Sequence, residues 1–250
     1  MRRPSLRLAE GELTHLARSA VDVPLALTQH ATYLELLTRH GLALVELAEL
    51  PDHPDGLFVE DVLVAIDAQL VLTRPGAVSR RGEVDSAALA LCALGLSSAR
   101  IAAPATLDGG DVLVLDRHVL VGRSTRSNDA ALAQLSALLH GSRRSVLGVD
   151  VQRALHLKTA VTRLPDGSLI ACADFVDIAR LEALGYRVLA APEPSGSDVL
   201  CVGDQVVLLP SDAPRTAELL QQHGFKVECV DISELQKLEA GVTCLSVLLP

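Results

Sequence analysis

The sequence predicts an α/β fold of repeated modules closed into a ring, in a chain of 250 residues. Four segments share a pattern of two apolar strands around a polar turn, which is a hairpin signature. Each hairpin is followed by apolar residues at helical spacing and then by another short strand. The pieces left at the two ends of the chain supply a fifth unit. A strand, strand, helix, strand unit of about 40–50 residues points to radial or stacked modules rather than one continuous sheet. The competing reading, an ordinary α/β sheet with hairpin insertions, is disfavoured because the hairpins recur so regularly.

The elements follow in order. An N-terminal helix is expected over roughly Pro24 to His40, then a strand over Leu42–Leu47. The first hairpin runs Asp61–Leu72, with a helix Val84–Leu94 and a strand Arg100–Ala102. The second runs Asp111–Gly122, again opening on Asp, with helix Asp129–Leu139 and strand Ser145–Val149. The third joins Lys158–Arg163 to Leu169–Ala171 across Pro165-Asp166-Gly167, followed by helix Val176–Leu184 and strand Tyr186–Leu189. The fourth is Asp198–Leu209, with helix Ala213–His223 and strand Lys226–Val230. Gly185 and Gly224 stand where a left-handed residue ends a helix. A last strand, Cys244–Leu249, combines with the N-terminal helix and Leu42–Leu47, so that first and last segments close the ring and remove exposed sheet edges. Residues 1–250 read as a single domain, without an interdomain linker or low-complexity tract.

Composition narrows the function classes. A hydrophobic content of 49% supplies a large core. A formal charge of -9 and 2% aromatic residues argue against nucleic acid, which demands clustered cations and stacking rings. The cysteines Cys92, Cys172, Cys201, Cys229 and Cys244 are odd in number and lack the paired spacing of zinc or redox sites. Met1-Arg2-Arg3-Pro4 is followed by Arg7, Glu10, Glu12, His15 and Arg18 where an export signal needs apolar residues. No apolar run is long enough to span a bilayer. The expectation is a soluble cytoplasmic protein with reduced thiols and a small-molecule substrate; a homodimer is compatible with the sequence.

Cys244, between a Gly turn and a terminal apolar run, is placed like a nucleophile. His156 in Leu155-His156-Leu157-Lys158 and Asp108 in Leu107-Asp108-Gly109-Gly110-Asp111 occupy similar junctions, and Asp61 lies at another. In a ring, such junctions converge on a central channel, and carboxylates buried there need a cation or several donors. A guanidinium meets that need. Taken singly, Asp108 reads as a turn residue, His156 as a core histidine, Cys244 as an inert thiol, and Arg80 and Arg126 as surface cations. Their joint placement at repeat junctions shifts the reading to a cysteine enzyme for a cationic substrate.

Five segments resemble, in register, the dimethylarginine dimethylaminohydrolase family: Phe58-Val59-Glu60-Asp61, the stretch Thr73 to Arg81, Thr106 to Leu113, Leu155 to Lys158, and Thr243 to Val247. The resemblance extends from about Asp55 to the C-terminus. It implies a single-domain, fivefold pseudosymmetric α/β propeller of the pentein type. It also implies hydrolysis of methylated arginine to citrulline and a methylamine, without metal or organic cofactor. By that similarity Cys244 attacks the guanidinium carbon, His156 moves the protons, Asp108 orients His156, and Asp61 holds the guanidinium. Arg80 and Arg126 are implied to bind the α-carboxylate and Asp55 the α-ammonium. Glu60 assists near the guanidinium, Leu238 contributes its backbone, and Gly11-Glu12-Leu13-Thr14 loosely resembles a lid with Leu13 as its closing residue.

Other readings stay open at this level. Another guanidine hydrolase such as an arginine deiminase, or an amidinotransferase, shares the thiol chemistry. A noncatalytic propeller that binds a macromolecule has no need of a nucleophile and a proton carrier. Cys244, His156 and Asp108 as zinc ligands form the third.

Overall fold

In the computed structural model, which describes residues 1–249, helix α1 (Val23–Arg39) opens the regular structure. Asp22 caps it by accepting the Leu25 N–H at 3.0 Å, Pro24 lies in its first turn, and Gly41 at φ +81° turns the chain away from its end. Four sheets follow, each of three strands. β1 (Leu63–Ile66) and β2 (Gln69–Leu72) pair antiparallel, α2 (Glu83–Ala93) crosses back, and β3 (Ser98–Arg100) lies parallel to β2. The same path is taken by β4 (Val112–Val114), β5 (His118–Arg123), α3 (Asp129–Leu138) and β6 (Ser145–Asp150). A one-turn helix α4 (Leu157–Ala160) leads into β7 (Val161–Arg163), β8 (Leu169–Ala171), α5 (Ile178–Ala183) and β9 (Val188–Ala190). The fourth unit is β10 (Leu200–Gly203), β11 (Val206–Pro210), α6 (Pro214–Gln222) and β12 (Lys226–Val230), followed by the short α7 (Ser233–Gln236). The strand, strand, helix, strand order expected from the sequence is present four times.

Packing links each unit to the next. One apolar cluster joins Val64, Ile66 and Val71 of the first sheet to Val112, Val119 and Leu135 of the second unit. Another joins Leu113 and Leu120 to Val161, Leu169 and Leu181. A third joins Leu164 and Ile170 to Val207, Leu209 and Leu220. The fourth unit packs through Val202, Leu208 and Val230 on Tyr33 and Leu37 of α1 and on Val242 and Leu245. Finally Leu63, Leu72 and Leu91 receive Leu47, Val247 and Leu249. Each short sheet is too small to bury its own faces, so neighbours supply the core in succession. Among the described residues no helix is long and apolar enough to cross a membrane.

The fifth unit departs from the expectation. Neither Leu42–Leu47 nor Cys244–Leu249 forms a strand; Thr243–Leu245 is a 3₁₀ turn, and Ser246–Leu249 carries no ladder. An apolar groove of about 310 Å³ is lined by residues of both segments, among them Leu42, Leu44, Leu47, Val247 and Leu249. The 42–47 segment instead meets the chain start: the Met1 amine donates to Val45 O at 3.1 Å and the Leu47 N–H to Met1 O at 2.9 Å. Cys244 therefore sits in a tight turn, not at the start of a strand.

Asn128 ties α3 to the segment that carries Asp108. Its Oδ1 accepts from Ala131 N at 3.2 Å and Thr106 N at 3.1 Å, while Nδ2 donates to Pro104 O at 3.2 Å. Loss of an N-cap costs about 1–2 kcal/mol. Asn128→Ala is expected to lower unfolding free energy by about 2 kcal/mol in urea titration, at the upper end of that range because it also cuts the Thr106 bond; a change below about 0.5 kcal/mol would contradict the assignment.

Candidate active site

The site is assembled from the turns that precede the hairpins. The first, Val59–Val62, is a buried 3₁₀ turn that carries Glu60 and Asp61. The second is the 3₁₀ turn Gly109–Asp111, immediately after Asp108. His156 caps α4 from its N-terminal side, and Cys244 occupies the last turn. Gly110 is required where the first three meet, since a Cβ there would lie 2.7 Å from the His156 ring and 2.9 Å from Asp61 Oδ1. Its N–H donates to that Asp61 oxygen at 3.1 Å.

His156 is held between two carboxylates. Its Nε2 is 3.0 Å from Asp108 Oδ2, and its Nδ1 is 3.7 Å from Asp61 Oδ1. Asp108 is fully buried; its other oxygen accepts the Gly76 N–H at 2.8 Å, and its own N–H donates to Ser127 Oγ at 3.2 Å. Burial alone would lower the imidazole pKa, but Asp61, the Asp108 hydrogen bond and Asp111 override it and raise it to about 9. At neutral pH His156 is an imidazolium. Burial pushes Asp61 the other way, yet His156, Arg80 and the Gly110 N–H together hold its carboxyl below the usual range.

The Arg80 guanidinium is almost wholly committed within the protein. Nη1 meets Asp61 Oδ2 at 2.5 Å, Nε and Nη2 fork onto Glu83 at 3.1 and 2.8 Å, and Nη2 also reaches the carbonyls of Asp55 and Phe58. In this structure Arg80 fixes Asp61 rather than presenting a free fork. Arg126 is different: among the described residues the one direct hydrogen bond from its guanidinium goes to Thr14 Oγ1 at 3.1 Å, with Glu12 and Asp108 oxygens at 3.7 and 3.8 Å.

Cys244 is buried, and its thiol pKa is raised well above the ordinary value by burial, then by Asp198, Glu60 and Asp61. The Gly241 N–H, 3.4 Å from Sγ, opposes that rise. The Cys244 thiol is therefore neutral at rest, held so by burial and several nearby carboxylates.

One small cavity, about 20 Å³, is lined by Asp55, Asp61, Arg80, Arg126, His156, Leu238 and Cys244. Seven of the ten residues singled out in the sequence thus meet at one place. Asp108 stands directly behind His156. Glu60 does not line this cavity; its carboxylate bridges Lys158 Nζ at 2.6 Å and Thr243 Oγ1 at 2.9 Å. Leu13 also lies outside it and packs, partly buried, on the apolar cluster around α1. Phe58, Leu155, Glu12, Glu239 and Ala240 complete the lining without having been assigned a role. Glu239 had no motif to reveal it. Its left-handed backbone, φ +62°, aims a carboxylate at the N–H groups of Thr14 (2.8 Å), His15 and Leu16 (2.8 Å), pinning the N-terminal segment over the cavity. Glu12 N–H adds a bond to Asp55 at 3.1 Å. A cavity of that size holds about one water.

The trio of potential metal ligands that converges among the described residues is Asp61, Asp108 and His156. Cys244 does not belong to it, so the zinc set Cys244, His156 and Asp108 is not assembled. Both ring nitrogens of His156 face carboxylates, an arrangement that suits a bound proton.

The chain matches no protein-family model. It is 45% identical over 249 residues to an N(G),N(G)-dimethylarginine dimethylaminohydrolase of Streptomyces coelicolor, covering 100% of this chain and 95% of that one. Identity to the Pseudomonas aeruginosa protein of the same name is 32% over 249 residues, covering 98% and 96%. Among solved structures, a cysteine-to-serine mutant of the Pseudomonas aeruginosa enzyme complexed with citrulline superposes with a TM-score of 0.90 at 30% identity, covering 98% of this chain and 96% of that one. The N-terminal domain of a cyanobacterial arginine dihydrolase shares the fold, with a TM-score of 0.80 at 16% identity and coverage of 90% and 86%. Taken with the order and convergence of Asp61, Asp108, His156 and Cys244, these likenesses place the chain in the dimethylarginine dimethylaminohydrolase family.

Proposed function

We propose that this chain hydrolyses Nω-methylated arginine to citrulline and a methylamine through a covalent adduct on Cys244. The observation that carries the reading is the single cavity that holds a thiol, an imidazolium and the carboxylates of Asp55 and Asp61, with the partly free Arg126 beside them. It is supported by the 45% identity to a relative of that name. The fold that goes with this reading is a single-domain fivefold propeller, its fifth blade formed by α1 and the two chain ends.

A substrate cation drawn toward Asp61 offsets the negative groups that keep the proton on Cys244, and the thiol loses that proton to solvent as the substrate seats. The thiolate then bonds to the guanidinium carbon. Collapse of the tetrahedral species breaks the bond to the methylated nitrogen, which leaves as amine with the proton of His156. The ring, now neutral, takes a proton from water, whose oxygen attacks the thiouronium carbon. The carbon–sulfur bond breaks and the hydroxyl proton of that adduct passes to the departing sulfur, leaving citrulline, the Cys244 thiol and the imidazolium. Asp108 holds the ring orientation throughout, and Arg126 offers its N–H groups to the α-carboxylate. Arg80 acts indirectly, bracing Asp61 through its carboxylate and Asp55 through its backbone carbonyl. Because the cavity as it stands holds about one water, substrate entry requires its lining to widen, and the bonds that tie residues 12–16 to Asp55 and Glu239 are the ones that yield.

Citrulline release from asymmetric dimethylarginine, monomethylarginine and arginine tests the reading. Turnover of the methylated substrates alone is expected, with Cys244→Ser and His156→Ala each reduced at least about 1,000-fold while remaining folded. Turnover of arginine instead would reassign the chain to a deiminase, and a near-normal rate in either variant would remove that residue from the mechanism. The raised His156 pKa also predicts a pH effect on stability. A histidine at about 9 when folded and 6.5 when unfolded contributes stability fully below about pH 6.5 and loses it as pH rises through 9. The melting temperature of the wild type should therefore fall between about pH 6.5 and 9 more steeply than that of His156→Gln; equal slopes would show that the folded ring is not an imidazolium.

A further inference from the structure

We infer that Asp198, which has no place in the reaction above, is a positioning residue for the Cys244 nucleophile; this rests on the cysteine-adduct reading. Three hairpins begin with an aspartate, Asp61, Asp111 and Asp198, and each reaches into the following unit that carries a reacting or orienting group. Asp61 Oδ1 accepts the Gly110 N–H at 3.1 Å, two residues after Asp108. Asp111 Oδ1 accepts the Leu157 N–H at 3.0 Å, next to His156. Asp198 Oδ1 accepts the Thr243 N–H at 3.0 Å, next to Cys244. Its second oxygen is 3.3 Å from Thr243 Oγ1, which itself donates to Glu60 at 2.9 Å.

Asp198 is buried, and its carboxylate lies so close to Gly241 that a Cβ there would collide with it. The same Gly241 directs its N–H at the Cys244 sulfur. The carboxylate thus bonds the turn at Thr243, next to Cys244, and packs against Gly241 at its start, so its removal loosens the turn that orients the thiol and its Gly241 N–H donor. The charged and titratable groups facing it are Glu60, Lys158 and Cys244, and a second cavity, which Asp198 lines, is also lined by His15, Arg153, Asp212 and Glu239. Asp198 does not line the catalytic cavity, so its loss should act on chemistry rather than on substrate binding. Burial and Glu60 raise its own pKa to about 7, and its negative charge in turn disfavours the Cys244 thiolate.

The test compares full-length wild type, Asp198→Ala and Asp198→Asn. Two readouts are used: steady-state turnover, and the pH dependence of iodoacetamide alkylation at Cys244 followed by peptide mass spectrometry. Asp198→Ala should lower kcat about 100-fold with KM within about threefold. Asp198→Asn keeps an acceptor for the Thr243 N–H and should recover kcat to within about tenfold of wild type, with its alkylation midpoint moved about one pH unit lower because one negative charge is gone. A folded Asp198→Ala with wild-type kcat, or an Asp198→Asn whose alkylation midpoint does not move, would overturn the proposal. If Asp198→Ala does not fold, the Asp198→Asn midpoint decides alone. Alkylation needs no substrate, so failure of every guanidino substrate would sink the proposed activity, while the alkylation midpoints would still decide the role of Asp198.

Discussion

The imidazolium of His156, clasped between Asp108 and Asp61 inside the protein, is the interaction on which the rest of the site depends. An isolated ion there would be severely destabilised, and two carboxylates without a cation would be worse. The protein answers with a chain of alternating charge: Asp108, His156, Asp61, Arg80, Glu83. The remaining lone pairs of Asp108 and Asp61 are met by the Gly76 and Gly110 N–H groups. Such an array satisfies its members only as a whole, which explains why so many backbone segments end at this one point.

The repeated fold makes that convergence attainable with short local segments. Each unit delivers a turn to the centre: Asp61 from the first, Asp108 from the second, His156 from the third, Asp198 from the fourth and Cys244 from the chain end. The apolar clusters join neighbouring units through side chains other than these polar groups. The small sheets do not stand alone. Their edges and faces are completed by neighbours, and the closing contact is made by Leu47, Val247 and Leu249 on the first unit.

Charge also bears on the proposed chemistry. Burial and the field of Asp198, Glu60 and Asp61 hold the Cys244 thiol in its protonated form. In the proposed reaction the ligand that offsets this field is a cation, which ties activation of the thiol to occupancy by substrate. The N-terminal segment is tied beside the same cavity by Glu239 and Asp55.

The sequence alone determined the modules: alternating apolar runs, polar turns and helix-ending glycines are local signals, and all four complete units appear where those signals stand. It also singled out Cys244, His156, Asp108 and Asp61, because chemistry-bearing residues at repeat junctions form a pattern that survives without coordinates. Only the tertiary structure decided the contacts that join residues far apart in the chain. The fifth unit forms no strands: its N-terminal segment bonds to Met1 instead, and residues of both chain ends line one apolar groove. Arg80 turned inward to Asp61 and Glu83, and Glu60 turned to Lys158 and Thr243, because buried charges take the nearest partner rather than the one a motif implies. Glu239 and Asp198 acquired their importance in the same way, as carboxylates whose backbone partners lie 223–225 and 45 positions away. Local propensity is written residue by residue, whereas the pairing of buried charges is settled only once the chain has closed around them.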